Sequence, residues 1–173
     1  MVTDGGRSAA HARRAPGQGV LGMEEDDELR PGEVTCPPPT VADAGLIFIG
    51  RIHTPWTTRD EAPRQGSQDG PLCSIEVFNP WVPALAGLKE QRQLEVIYWL
   101  HLSRRDLVLQ RRDRNGPVRG TFSIRSPLRP NPIGTSIAEL VSMEGGLLTV
   151  RGLDCLDGTP LLDLKPRRRP LVP

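Results

Sequence analysis

The sequence predicts a mainly β protein: a small antiparallel β-barrel with few short helices, preceded by a disordered N-terminal tail. Three observations carry this. Glycine and proline number 18 each in 173 residues, and helix interiors exclude both. Seven short apolar or alternating runs follow one another closely from residue 45 onward, the pattern of an antiparallel barrel or sandwich. Residues 1–44 hold six glycines, five prolines, the run Cys36-Pro37-Pro38-Pro39 and the acidic block Glu24-Glu25-Asp26-Asp27-Glu28. Such a composition buries too little apolar surface to offset chain entropy.

The elements follow in order. Residues 45–50 form an apolar run bounded by glycines and read as a buried strand. Residues 72–78 partly alternate, as a half-buried strand does, and residues 94–100 make another strand. Residues 84–93 are the one plausible helical segment, weakened by Gly87. Residues 106–110, 120–125, 136–143 and 147–152 complete the strands, with Glu144-Gly145-Gly146 as a hairpin turn between the last two. The resulting division is a tail (1–44), a barrel domain (45–166) and a basic C-terminal tail (167–173).

Composition also excludes. No run approaches the roughly 18 apolar residues of a membrane helix, and no apolar signal-type segment opens the chain, so a cytoplasmic protein is the default. Cys36, Cys73 and Cys155 are odd in number and far apart, which argues for reduced thiols. His11, His53 and His101 are scattered, and no metal site is expected. Glycine fingerprints of dinucleotide sites, phosphate loops and nucleophile elbows are absent.

Four segments stand out chemically. In Arg125-Ser126-Pro127-Leu128-Arg129-Pro130-Asn131-Pro132-Ile133-Gly134, three prolines fix three φ angles and restrain the residues before them. A stiff loop carrying one amide and two cations can hold a polar ligand at little entropic cost, or simply connect strands. Asp157-Gly158-Thr159-Pro160 is a turn signal whose carboxylate could also accept from a ligand hydroxyl or amine. Pro63-Arg64-Gln65-Gly66 reads as an ordinary loop. Residues 104–129 hold eight arginines against two aspartates, which is either a solvated face or a phosphate-binding surface. His101, at the end of an apolar strand, reads from the residues alone as a structural histidine.

The string Arg129-Pro130-Asn131-Pro132-Ile133-Gly134-Thr135-Ser136, followed by Leu156-Asp157-Gly158-Thr159-Pro160 and Leu161-Leu162-Asp163-Leu164-Lys165-Pro166, resembles the TsaA-like family. Ile49-Gly50-Arg51-Ile52-His53-Thr54-Pro55-Trp56 and Pro63-Arg64-Gln65 fit the same pattern, so the resemblance covers residues 46–166. It implies an S-adenosyl-L-methionine-dependent methyltransferase on a barrel. The implied reaction is N6-methylation of the adenine at tRNA position 37, already carrying a threonylcarbamoyl group, by a homodimer. The implied cofactor contacts are Pro63, Arg64, Gln65, His101, Leu102, Arg125, Thr135, Asp157, Gly158, Thr159 and Pro160. Leu102 stands where relatives can carry a polar residue, leaving only a backbone contact there. Loop stiffness, and analogy with amino-methylating enzymes that use an Asn-Pro pair, make Asn131 the catalytic candidate. Arg104, Arg105, Arg111, Arg112 and Arg129 are the candidates for holding tRNA phosphates.

Overall fold

The computed structural model describes residues 29–113 and 115–167. Among these residues, nine strands form two sheets. β2 (Gly50–His53), β3 (Cys73–Val77), β8 (Leu147–Arg151), β7 (Ile133–Glu144), β4 (Gln93–Trp99) and β9 (Thr159–Pro166) close in that order into a barrel. β1 (Val34–Thr35), β5 (Leu107–Arg111) and β6 (Val118–Gly120) form a small antiparallel sheet beside it. Every ladder is antiparallel.

Period-two alternation builds the barrel. In β4, Leu94, Val96 and Tyr98 turn inward while Gln93, Glu95 and Ile97 are less buried. Ile52, Ile75, Ala138, Leu148, Val150 and Leu161 meet them from the other strands, all fully buried. Closure leaves this sheet no free edge.

The antiparallel barrel matches the expected class, but several boundaries differ. Leu46, Ile47 and Phe48 are 54%, 65% and 44% exposed, so residues 45–50 do not make a buried strand. The strand starts at Gly50, where alternation places Ile52 inside. The expected helix at 84–93 is two short 3-10 turns, Val82–Leu85 and Leu88–Glu90. Gly87 lies between them at φ 80°, a left-handed conformation that ends a helix. The strand expected at 120–125 stops at Gly120, because residues Thr121–Ser123 coil into a 3-10 turn. β7 is longer than expected and takes in Ile133, Gly134 and Thr135. β9 begins inside the turn signal Asp157-Gly158-Thr159-Pro160 and is absent from the expected strands; its prolines hid a strand that pairs with both β2 and β4.

The segment expected to be a tail without structure is in part a strand. Val34 and Thr35 pair with Leu109 and Leu107. Arg30 donates to the carbonyls of Arg111 and Arg112 (2.9 and 3.2 Å), and Glu33 accepts from the Arg111 N–H (2.8 Å). These partners lie far along the chain, which a local composition argument cannot register. Residues 1–28 and 168–173 lie outside the described residues. Arg167 closes the last ladder, its Nη1 on Gln93 Oε1 at 2.7 Å.

Candidate functional site

A cleft of about 920 Å³ opens between the barrel and the small sheet. The barrel side contributes Tyr98 from β4, the turn after it (Leu100, His101, Leu102), and Asp154, Cys155, Leu156 and Thr159. Pro63 and Arg64 come from the loop between β2 and β3. Arg104, Gln110, Arg111 and Arg112 come from the small sheet and its approach. The proline-rich loop, including Arg125, Arg129, Asn131 and Thr135, joins the two sides.

That loop is held from both flanks. The Pro130 carbonyl accepts from Arg105 Nε at 2.7 Å. Pro132 is fully buried, and its carbonyl accepts from the Leu100 N–H at 2.8 Å. The Asn131 carbonyl accepts from the Ile133 N–H, also at 2.8 Å. Buried Gln110 ties the loop to the small sheet by donating to the Leu128 carbonyl and to Thr121 Oγ1. The side chain of Asn131 is exposed in the cleft and has no hydrogen-bond partner among the described residues. A polar group on a backbone this constrained is set for a ligand rather than for its own fold.

Beneath the loop lies a compact polar cluster. Tyr98 Oη donates to Asp154 Oδ1 at 2.7 Å, and Ser136 Oγ donates to the same oxygen at 2.6 Å. The other carboxylate oxygen accepts the Gly66 N–H at 3.2 Å. Asp154 therefore links β4, β7 and the loop that carries Pro63, Arg64 and Gln65. Burial and the adjacent Asp154 charge push the Tyr98 hydroxyl well above the ordinary phenol range, so it stays a donor. Asp154→Asn is expected to cost about 1–2 kcal/mol. The amide keeps one oxygen for the two hydroxyls but turns an N–H₂ toward the Gly66 N–H, donor against donor. Chemical denaturation reads the loss of stability, and hydrogen exchange at Gly66 reads the loosened loop; wild-type behaviour in both would show that the cluster contributes nothing.

Cys155 also lines the cleft but is 2% exposed. Burial, with Asp154 beside it, pushes its thiol up to about 12, so it is no thiolate nucleophile near neutrality. Cys73 is buried and raised likewise, whereas Cys36 is exposed. A thiol reagent at neutral pH is therefore expected to label Cys36 rapidly and the other two only on unfolding. Mass-resolved labelling checks this, and fast native reaction at Cys155 would mean that the barrel end opens. His101 is held below the ordinary imidazole range by partial desolvation and by Arg51, leaving it neutral at pH 7.

Of the arginines expected to hold phosphates, Arg104, Arg111, Arg112 and Arg129 reach the cleft, and most of them are engaged. Arg104 pairs with Asp106 at 2.9 Å, holding that carboxyl below its usual range. Arg111 donates to the carbonyls of Pro31 and Gly116. Arg129 donates to the Ile124 carbonyl, and Arg125 to Thr135 Oγ1 at 3.3 Å. Arg112 is exposed at the cleft with no side-chain partner among the described residues.

Five expected site residues do not line the cleft: Gln65, Arg105, Asp157, Gly158 and Pro160. Gln65 is exposed. Arg105 packs over the Trp99 ring at 5.2 Å. Asp157 turns toward β2, accepting the Thr54 N–H at 3.2 Å and facing His53 Nδ1 at 3.3 Å. The Gly158 N–H donates to the Ile52 carbonyl, and Pro160 pairs with Arg51. These residues fasten the turn before β9 to β2 rather than face the opening.

Residues 51–169 match the family model described as the tRNA-methyltransferase O N-terminal domain. The chain belongs to the TrmO family. It is 52% identical over 148 residues to the probable S-adenosyl-L-methionine-binding protein VirR of Rhizobium radiobacter, covering 84% of this chain and 85% of VirR. It is 32% identical over 146 residues to the human tRNA (adenine(37)-N6)-methyltransferase, covering 76% of this chain and 32% of that protein. A crystal structure of TrmO from Pseudomonas aeruginosa superposes with a TM-score of 0.61 at 31% identity, over 73% of this chain and 57% of that one. Among these, the chain spans most of VirR but only about a third and somewhat over half of the other two.

Within this TrmO barrel the cleft has lining residues that sequence reasoning passed over: Tyr98, Asp154, Arg30 and Glu33. Tyr98 sat unremarked inside a strand candidate, and Ser136, its hydrogen-bond partner, inside another. Asp154 lies next to the quoted motif, and an acid among Leu153, Cys155 and Leu156 was the available signal. Arg30 and Glu33 lie outside the family match and gave none.

Proposed function

We propose that this chain is an S-adenosyl-L-methionine-dependent methyltransferase that methylates N6 of the threonylcarbamoylated adenine at tRNA position 37. The observation that carries the reading is convergence. Pro63, Arg64, His101, Leu102, Arg125, Asn131, Thr135 and Thr159, drawn from separate elements, line one cleft. Family membership and the activity named for the human relative support the reaction class.

The lining fits the cofactor. The cleft offers a carboxylate fixed on its floor, Asp154, for a cationic centre. Arg64 and Arg125 suit the carboxylate of its amino-acid end, while Leu100, Leu156 and Pro63 give the apolar wall a nucleoside needs. His101, Leu102, Thr135 and Thr159 complete the contacts, and Gln65, Asp157, Gly158 and Pro160 shape their loops from behind. When bound, the cofactor supplies an electrophilic methyl group. The protein then has to align the amine and exclude competing geometries. Asn131 does the first: its amide oxygen accepts the N6–H and turns the nitrogen lone pair toward the methyl carbon. As the bond from N6 to the methyl forms and the methyl–sulfur bond breaks, N6 gives up its one proton, the one Asn131 holds, and His101 is a neutral imidazole in the same cleft able to carry that proton away. Arg104, Arg105, Arg111, Arg112 and Arg129 hold RNA phosphates along the rim. The protein acts in the cytoplasm as a homodimer.

The test is mass spectrometry of the anticodon-loop nucleosides after incubating the protein with the methyl donor and unmethylated tRNA. One methyl group gained on threonylcarbamoyladenosine is the expected result. VirR, described as a cofactor-binding protein alone, favours a second reading: a barrel that binds the cofactor without transfer. Cofactor binding by calorimetry with no methylated nucleoside would establish that reading instead.

A further inference from the structure

Phe122 is the most exposed large apolar side chain among the described residues, at 80%. The residues on either side of it are nonetheless anchored. It occupies the 3-10 turn Thr121–Ser123. Thr121, 3% exposed, donates from Oγ1 to the Leu107 carbonyl and accepts from Gln110 Nε2, both at 2.7 Å. Ser123 Oγ donates to the Gly120 carbonyl at 2.8 Å. The fold thus pins a turn to the small sheet and leaves its aromatic ring in water. A single exposed leucine or valine needs no account, but a ring held out on a rigid pedestal at the mouth of a cleft does.

The surroundings specify what covers it. The cleft is lined by eight arginines and two acids, Glu33 and Asp154. Arg129 lies over the Phe122 ring, its guanidinium carbon 5.9 Å from the centroid. An aromatic face beside guanidinium groups is the chemistry that takes a nucleobase and its phosphates together. A second copy of the chain is disfavoured as occupant, because it would bring one arginine-rich rim against another. The ring and Asn131 line the same cleft and belong to one continuous loop tied by Gln110.

We propose that Phe122 is a stacking platform for an unpaired base in a single-stranded RNA loop, a neighbour of the base presented to Asn131. The inference rests on the reading of the substrate as RNA. It assigns Phe122 a part of recognition that carries no charge and tolerates any base.

The experiment is a binding titration of the full chain with a fluorescently labelled anticodon stem-loop RNA, repeated over a series of salt concentrations. Phe122→Leu and Phe122→Ala are expected to weaken RNA binding on the order of tenfold. The salt slope should stay that of the wild type, since no phosphate contact is removed. Phe122→Trp should bind as the wild type does, and all three variants should bind S-adenosyl-L-methionine unchanged by calorimetry. Wild-type RNA affinity in Phe122→Leu would overturn the proposal, as would a flattened salt slope, which would mean that only Arg129 had been disturbed. A shift of Phe122→Ala from dimer to monomer in sedimentation, with RNA affinity intact, would assign the ring to a second copy. If the wild type itself fails to bind the RNA, the RNA reading falls, and the platform with it.

Discussion

Gly134→Ala is expected to lower the unfolding free energy by about 3 kcal/mol, through overpacking and lost hydrogen bonds. For a domain of this size that is a fall of roughly 10 °C in Tm. A Cβ at residue 134 would sit 2.1 Å from Cε2 of Tyr98, and 2.7 and 2.8 Å from Cζ and Cδ2. No real contact is that short, so the ring must move. Gly134 and Tyr98 are direct partners across the β7–β4 ladder, which stops the strands from sliding apart. The ring is 4% exposed and tethered through Oη to Asp154 and Ser136. Any movement that admits the methyl group strips hydrogen bonds from a buried carboxylate. Urea unfolding with a double-mutant cycle measures the term. Removing the ring as well, in Gly134→Ala with Tyr98→Ala, should abolish the extra cost of the methyl group. A single variant within 1 kcal/mol of the wild type, about a fivefold change in the folding constant, would mean that the ring has a second place to go.

This pair shows what the sequence could and could not tell. Gly134 stood in a motif with the marks of a stiff loop, and Tyr98 inside the strand candidate at residues 94–100. Each was placed, yet nothing local says that they face each other. The barrel itself was legible because strands of one buried face advertise a period of two, as β3 and β4 do. β9 was not, because Pro160 and Pro166 look like breakers; the register sets them opposite Arg51 and Leu94 all the same. The run at residues 45–50 failed for the converse reason: apolar residues do not make a strand where no neighbour covers them. In the site, the rigid loop was readable because proline acts on its own neighbours. Asp154 was not, since its meaning comes from Tyr98, Ser136 and Gly66, which only folding brings to it. The arginines show the same limit in another form: a surplus of charge was visible, but not that Arg111 and Arg129 spend their guanidinium groups on carbonyl oxygens.

Asn131→Ala should separate catalysis from binding. If the amide oxygen aligns N6, its loss removes an interaction made as the nitrogen attacks, and kcat should fall about 10²-fold or more. The cofactor dissociation constant should be unchanged, and so should KM for tRNA. The fold gives reason to expect a clean result. The Asn131 side chain is exposed and supports nothing in the protein, while Pro132 beside it is fully buried and Arg105 grips Pro130 from the other side. Truncation therefore leaves the loop where it was, and an unchanged Tm is part of the prediction. Asn131→Asp supplies the control. The carboxylate keeps an acceptor at the same reach, so it should recover part of the lost rate if accepting the N6–H is the essential act. If Asn131→Asp is as slow as Asn131→Ala, the N–H₂ donor is what the chemistry uses, and the amide must be bonding to the substrate's carbonyl side instead. Should both variants raise KM with kcat intact, Asn131 would hold the substrate without taking part in the transfer, and the aligning group would have to be sought elsewhere on the cleft wall, with neutral His101 the next side chain to replace.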